Sequence, residues 1–410
     1  MTEGSEPLPQ GGVRLLAIWS RQVETGRMAG RLRIIANLRR HFATAWPYGE
    51  ITLLPEVSLK SPLVGLLCAL RFVLALVQGK PLPLQCAIFS PLDWRAVEAA
   101  GRDYNVVYLD GVRLLLTAQR LRQRHPQLRI VVDLDDLMSR RGELLLTIGS
   151  PISLGYLGPY VPAPLHRALT TGALGRIALR YEAVALRRAE RTLLEICDAA
   201  TLLSAADAQA LKAIAPPGVA AKIQTIPPAV VPPTDTRPFQ GCERYIFIGT
   251  DTLIQNRMTI DYLRALWARA RPRLPLVIFG AMTRTYAPAP GVTFAGYVND
   301  LIDVYDGRSA LISPAFLGGG IKTKILEAFA YGCPVICTEA TLEGVAIGDY
   351  PLSFARIEDM EAFVVGREGD APEFADAISR GLAYVREYHS PERILTAWRD
   401  LIEGAKEPGC

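Results

Sequence analysis

The chain has 410 residues, half of them apolar and 8% aromatic, with a net charge of +4. That length exceeds one ordinary core and predicts two soluble domains, while so balanced a charge gives no argument for a nucleic-acid partner. Seven cysteines, at 68, 86, 197, 242, 333, 337 and 410, are odd in number and widely spaced. That usage favours a reduced, cytosolic chain over a disulfide framework. Cys333 and Cys337 lack a second ligand pair and the four histidines are scattered, so no metal site is expected. Met1 to Gln10 is polar and acidic, unlike a secretory leader.

In chain order, Val13 to Trp19 reads as a buried strand and Arg31 to Phe42 as a basic amphipathic helix. The loop between them, Ser20 to Gly30, lacks the G-x-G-x-x-G spacing of a dinucleotide fingerprint, which argues against a nicotinamide dehydrogenase. Ile51 to Leu54 is a second strand. Leu63 to Val77 is an apolar run of about 15 residues broken by Arg71, where a bilayer span needs roughly 20. It is expected to be a buried or interfacial helix. Ala87 to Phe89 is expected as a short strand, Tyr104 to Leu109 as a buried one and Val112 to Arg124 as a helix. Arg129 to Leu134 is the next strand and runs into Asp135 and Asp136. Glu143 to Thr171 has no clear pattern. Ala173 to Ile196 is a long helix on which Arg176, Arg180, Arg187 and Arg191 share an arc of roughly 60°. Ala200 to Ser204 is a strand, Ala205 to Ala213 a helix and Lys222 to Ile226 a strand.

Pro216 to Pro238 is proline-rich, a linker composition, and the strand–helix alternation restarts beyond it. Strands fall at Tyr245 to Gly249, Leu276 to Phe279 and Thr293 to Ala295, with helices over Ile260 to Ala270 and from Leu301. The pattern predicts an α/β chain of two Rossmann-like, doubly wound parallel-sheet domains facing a cleft. The expected bounds are 1–234 for the first domain and 235–390 for the second. A C-terminal helix, 391–410, follows and could pack back on the first domain.

The most specific stretch is Pro314 to Gly344. An apolar strand, Ser309 to Ser313, leads into Gly318, Gly319 and Gly320, then a helix from Ile321 to Tyr331, then Gly332 and a strand from Pro334 to Thr338. Such a loop lies at the carboxyl edge of a sheet, where open α/β sheets bind ligands. Glycines allow close backbone approach, and the first helical amides and the helix dipole suit a diphosphate. Lys322 and Lys324 stand in the first turn, against the dipole, and a position that breaks a local rule points to function. A tight turn with a Lys324–Glu327 ion pair is the plainer alternative. A Walker A loop is excluded, because Ile321 separates Gly320 from Lys322.

GGGIKTKILEAFAYGCPVICT, followed by EGV, resembles the donor-binding segment of GT-B fold glycosyltransferases of family 4 ("group 1"), in a GGGIKxK variant. YIFIGTDTLIQN, VIFG and VTFAGYVNDL follow that family's order, and weaker similarity extends the likeness to roughly two thirds of the chain. The resemblance implies a glycosyltransferase that takes a UDP- or GDP-linked sugar without a metal or other cofactor. It places Glu327 on the nucleotide ribose and Gly249, Arg257, Gly318 to Gly320, Lys322, Thr323 and Lys324 about the donor. Gly319 falls where the family has a second glutamate, against the sugar; Thr250 and Gln255 fall where it often has phosphate-binding cations. Asp135 falls where a histidine often stands.

On the acceptor side, Asp133, Asp135 and Asp136 end a strand at the cleft. Asp135 and Asp136 are candidate general bases, with metal binding through Asp-x-Asp, or helix capping and pairing with Arg140 and Arg141, as alternatives. Gly30, Arg31 and Arg140 are acceptor-side candidates. The expected acceptor is a saccharide or a lipid-linked one, in polysaccharide or glycoconjugate assembly in the cytoplasm. The arginine stripe and Leu63 to Val77 leave open a peripheral contact with the membrane's inner face. A nucleotide-sugar 2-epimerase and a non-catalytic sugar-nucleotide-binding subunit are the competing functions.

Overall fold

Two groups of continuous apolar strands, each flanked by helices on both faces, build two six-stranded parallel sheets. The computed structural model describes residues 12–22, 30–54, 62–89, 94–148, 162–170, 172–316, 318–366 and 372–404. The expectations for Met1 to Gln10 and most of Ser20 to Gly30 therefore lie outside the described residues.

The first sheet comprises β1 (Leu15–Trp19), β2 (Tyr48–Thr52), β3 (Val106–Asp110), β4 (Arg129–Asp133), β5 (Ala199–Leu202) and β6 (Ile223–Thr225), in the order β2-β1-β3-β4-β5-β6. Its helices are α1 (Arg31–Ala45), α2 (Pro62–Val77), α3 (Leu84–Ile88), α4 (Arg95–Asp103), α5 (Leu115–Arg124), α6 (Met138–Thr147), α7 (Ala163–Thr170), α8 (Gly172–Ile196) and α9 (Ala205–Ile214). The second sheet holds β7 (Arg244–Ile248), β8 (Leu276–Phe279), β9 (Val292–Gly296), β10 (Ser309–Ser313), β11 (Val335–Thr338) and β12 (Ser353–Phe354). Its order is β12-β11-β10-β7-β8-β9, with α10 (Ile254–Ala270), α11 (Thr323–Ala330), α12 (Ile357–Gly366) and α13 (Pro372–Tyr388) around it. Registers such as Leu15↔Val106 in the first sheet and Leu311↔Ile246 in the second hold the central strands in place.

Every residue of β1, β3, β5 and β10 is buried, as expected of parallel strands covered on both faces. The final helix, α14 (Pro391–Glu403), does not join the second core. Its Ile394, Trp398, Leu401 and Ile402 pack with Trp19, Phe42 and Tyr108 of the first domain. The Trp398 ring lies 5.7 Å from both Phe42 and Tyr108. The chain thus crosses between the sheets twice, and the crossings are bonded to each other. Val230 N–H donates to the His389 carbonyl at 2.9 Å, and buried His389 Nδ1 donates to the Pro228 carbonyl at 2.8 Å.

Several elements depart from the sequence reading. Ala87 to Phe89 lies in and just after helix α3 rather than in a strand. The Glu182 carboxylate receives Leu84 N–H at 2.8 Å and fixes that short helix, a contact far away in sequence. α4, α6, α12 and β12 were not anticipated, and α10 begins at Ile254 rather than Ile260. α2 forms as a helix, yet much of it is uncovered by protein.

Candidate active site

The glycine loop emerges from β10 and delivers the chain to α11. Gly319 and Gly320 have φ of 91° and 65°, a region that glycine enters without strain. A side chain on Gly320 would collide with the Asp136 carboxylate, and one on Gly318 with that of Glu343. The loop is therefore glycine for two reasons: its turn, and the closeness of carboxylates on both sides. Lys322 occupies the N-cap of α11 and Thr323 its first turn, with no side-chain cap. Gly332, at φ 66°, follows the helix and lets the chain turn back.

Lys324 points into the domain. Its Nζ lies 4.1 Å from the Phe247 ring centre and donates to Asn256 Oδ1 at 3.0 Å. Burial, aided by the neighbouring Lys322 charge, pulls its pKa down to about 7. Burial also lowers Lys322, despite Glu343 and Asp136 nearby; its Nζ donates to the Ala340 carbonyl at 3.3 Å. Asn256 in turn donates to the Thr250 carbonyl at 2.9 Å and packs on Gly249, where an added Cβ would lie 2.7 Å from its nitrogen. Arg257 donates from Nε and Nη2 to the Asp251 carbonyl, at 3.2 and 3.0 Å. The Asp251 carboxylate, fully buried, accepts from Thr283 N–H and Arg284 N–H and so ties the loop after β7 to the loop after β8.

Opposite stands the carboxyl edge of the first sheet, where an ionic network has formed. Arg31 reaches Asp133 at 2.6 Å, Asp110 at 3.1 Å and Asp135 at 3.4 Å. Arg21 reaches Asp110 and Asp135, each at 3.1 Å. Tyr108 Oη donates to Asp133 at 2.8 Å and Ser20 Oγ to Asp110 at 2.9 Å. Burial works against Asp110 ionisation, but Arg21 and Arg31 outweigh it and hold the carboxyl well below the usual range. Asp135 sits in the left-handed region, φ 68°, locked between two arginines.

Asp136 is outside that network. Its nearest cation is Arg141 at 3.7 Å, and burial, reinforced by Asp135, pushes its pKa up to about 6. Neither aspartate caps α6. Glu190 from α8 does so, accepting Ser139 N–H at 3.0 Å and Ser139 Oγ at 2.5 Å, which corrects the capping alternative. Nor does Arg140 pair with these aspartates: it joins Asp207 at 2.8 Å and reaches across to Glu343.

Four contacts bring the two edges together. Gly30 faces Thr323 Oγ1, Arg33 pairs with Glu327, Asp136 abuts Gly320 and Arg140 pairs with Glu343. Burial raises Glu327, partly offset by Arg33 and Lys324. Glu343 goes the other way. Burial pushes it up, but Arg140 and the Gly319 N–H, which it accepts at 2.7 Å, bring it below the ordinary value. Gly30, Asp136, Arg140, Gly318 to Gly320, Lys322, Thr323 and Glu327 thus line one cleft, and Arg31 stands behind it within the network. Lys324 joins Gly249 to the same wall through Asn256, and Arg257 belongs to the adjoining loop. Sequence reasoning missed Arg33 and Glu343. Arg33 is one of several basic residues on its helix, and Glu343 was read only as part of the EGV that closes the motif.

Residues 243–383 match the family described as glycosyl transferases group 1. No curated protein sequence matches the chain. Among solved structures, Anabaena HepE in complex with UDP-glucose superposes with a TM-score of 0.60 at 12% identity, over 96% of this chain and all of that one. The lipopolysaccharide outer core galactosyltransferase WaaB gives 0.59 at 13%, over 96% and 100%. The trehalose-6-phosphate synthase OtsA gives 0.55 at 11%, over 95% and 98%. At such identities these likenesses show the fold, which is GT-B. Residues 243–383 are thus similar to glycosyl transferases group 1, and with the GT-B fold they support a sugar-transferring enzyme.

Proposed function

We propose that this chain is a family 4 enzyme of the GGGIKxK type, taking a UDP- or GDP-linked sugar and a hydroxyl acceptor on a saccharide or lipid-linked saccharide. The observation that carries this reading is the convergence of α11 with the first domain. The glycine loop, two half-buried lysines and Glu327 face Asp136 and Arg140 across one cleft.

Glu327 holds the nucleotide ribose. Arg33 occupies it in the present conformation, so donor entry parts that pair. The diphosphate rests on the amides of Gly319 to Thr323, with Lys322 and Lys324 to receive the charge that builds as the leaving oxygen departs. This reading gives that task to the lysines rather than to a metal. Asp136, with a pKa near 6, is matched to accept the acceptor hydroxyl proton at neutral pH, while Asp135 serves as a fixed charge in the arginine network. Glu343 supplies, from the next loop, the carboxylate that Gly319 lacks. It stays ionised and is aimed by Arg140 and Gly319 N–H at the place where a sugar hydroxyl would meet it. Domain closure then excludes water from the transfer.

The test is calorimetric titration with UDP and GDP, followed by transfer assays on the wild type and on Glu327→Ala. Micromolar binding of one nucleotide and its weakening by Glu327→Ala are expected. Equal binding by wild type and variant would reject the assignment.

A further inference from the structure

The helices that flank the first domain on its outer side present a surface unlike the rest of the molecule. α2, PLVGLLCALRFVLALV, has no acidic residue. Leu66, Leu70, Val73, Leu74 and Val77 are all exposed, Leu66 at 65% and Val77 at 80%. At 100° per residue those five fall within an arc of about 100°, so they form one apolar stripe that no described residue covers. α2 packs on α8 through its other side, where the Phe72 and Tyr181 ring centres lie 5.1 Å apart, so the two helices are neighbours on this surface. On α8, Leu174, Ile177 and Val184 are exposed as well. Arginines 176, 180 and 191 are exposed beside them and form no ion pair among the described residues. The carboxylates of the same stretch turn inward: Glu182 accepts Leu84 N–H and Glu190 caps α6. Between Leu174 and Val184 the exposed charge is thus arginine, set among large apolar side chains, while the partly exposed Glu143, paired with Arg187, and the exposed Glu195 lie outside that stretch.

We infer that α2 and the exposed face of α8 dock the enzyme onto an anionic lipid surface. The apolar side chains would enter the headgroup boundary and the arginines meet lipid phosphates. Among the described residues no helix is long and apolar enough to cross a membrane, so this is contact in the plane of the interface. The charge pattern favours lipid over a second copy of the chain, since a two-fold contact through this face would bring arginines against arginines. The surface also has a path to the cleft. α6 starts beside Asp136 and packs along α8, where a Cβ on Gly142 would lie 3.1 Å from Ala183 Cβ. The docking surface itself does not depend on the sugar-transfer reading.

The full chain would be floated with vesicles of phosphatidylcholine alone and of phosphatidylcholine mixed with phosphatidylglycerol. Binding is expected for the anionic vesicles, roughly tenfold weaker for Leu70→Asp/Val77→Asp and several-fold weaker for Arg176→Gln/Arg180→Gln. Nucleotide binding should be unchanged in both variants, which separates this result from failure of the donor site. No flotation, or flotation unaffected by either variant, overturns the inference. So does a salt-insensitive dimer in light scattering that Leu70→Asp/Val77→Asp dissolves.

Discussion

At the carboxyl edge of the first sheet, two arginines and three aspartates are cross-linked by ion pairs of 2.6–3.4 Å. At the same edge of the second sheet, Lys322 and Lys324 are half-buried and form no ion pair among the described residues. The two edges occupy equivalent places of related folds, but among the described residues only the charges of the first are cross-linked in this way. A network whose charges are already paired gains little from a ligand and fixes geometry. A pair of desolvated cations gains a great deal from an anion, because the cost of burying them is recovered only when it arrives. Perturbed groups with no partner in place therefore mark where substrate acts, and those with a full complement mark what holds the site in shape. By the same criterion Asp136, which lies outside the arginine network, is the acid we propose for the chemistry.

The comparison is open to experiment. Removing both lysines, Lys322→Ala/Lys324→Ala, should lower transfer by about 10²–10³-fold while circular dichroism is retained; a loss under tenfold would mean that the cations do not serve the leaving group. Asp136→Asn should lower kcat by about 10²-fold or more with donor binding intact, and abolish the decline of activity as pH falls through about 6. In contrast, Asp110→Asn should act on stability. It removes the carboxylate that Arg21, Arg31 and the Ser20 hydroxyl share at a fully buried position, and urea unfolding should show a loss of about 3–5 kcal/mol. If Asp110→Asn instead unfolds like wild type, the network is not the rigid support described here.

A subtler expectation concerns protons. Lys324 has a folded pKa of about 7 against an ordinary 10.5, so the unfolded chain binds this proton more tightly. The lysine's contribution to stability therefore rises with pH between those values and is least favourable below pH 7. A bound diphosphate reverses the penalty, so donor binding should take up a proton and weaken as pH climbs above 7. Titration calorimetry in buffers of different ionisation enthalpy measures this uptake directly, and zero uptake at pH 8 would place Lys324 away from the phosphates.

The β10–α11–β11 unit was legible because every part of it is local. An apolar strand, a glycine turn, an amphipathic helix and a stop glycine each carry their own signal within a few residues. Most of both sheets could be read for the same reason. The relation of the parts could not. Arg33 and Glu327 are 294 positions apart, and nothing in either neighbourhood tells one to expect the other. Asp135 and Asp136 are adjacent and identical in type; they differ only in that Arg21 and Arg31 turn toward the first. The cap of α6 comes from Glu190, 51 positions downstream of Ser139, so the local search for a capping aspartate looked in the wrong place. Glu343 took its meaning from a glycine loop that has room for its carboxylate only because Gly318 has no side chain.

The double crossing between the domains has a mechanical consequence. One flexible tether would let the domains swing and twist about any axis through it. Here the outgoing segment at Pro228 and Val230 and the returning one at His389 are bonded side by side, and α14 anchors the returning segment in the first core. Two joined tethers suppress twisting and leave one easy rotation, like the spine of a book. Along that single coordinate the contacts at Glu327, Gly320 and Glu343 must separate and re-form together, so opening for a donor and closing for transfer are the same movement run in opposite directions.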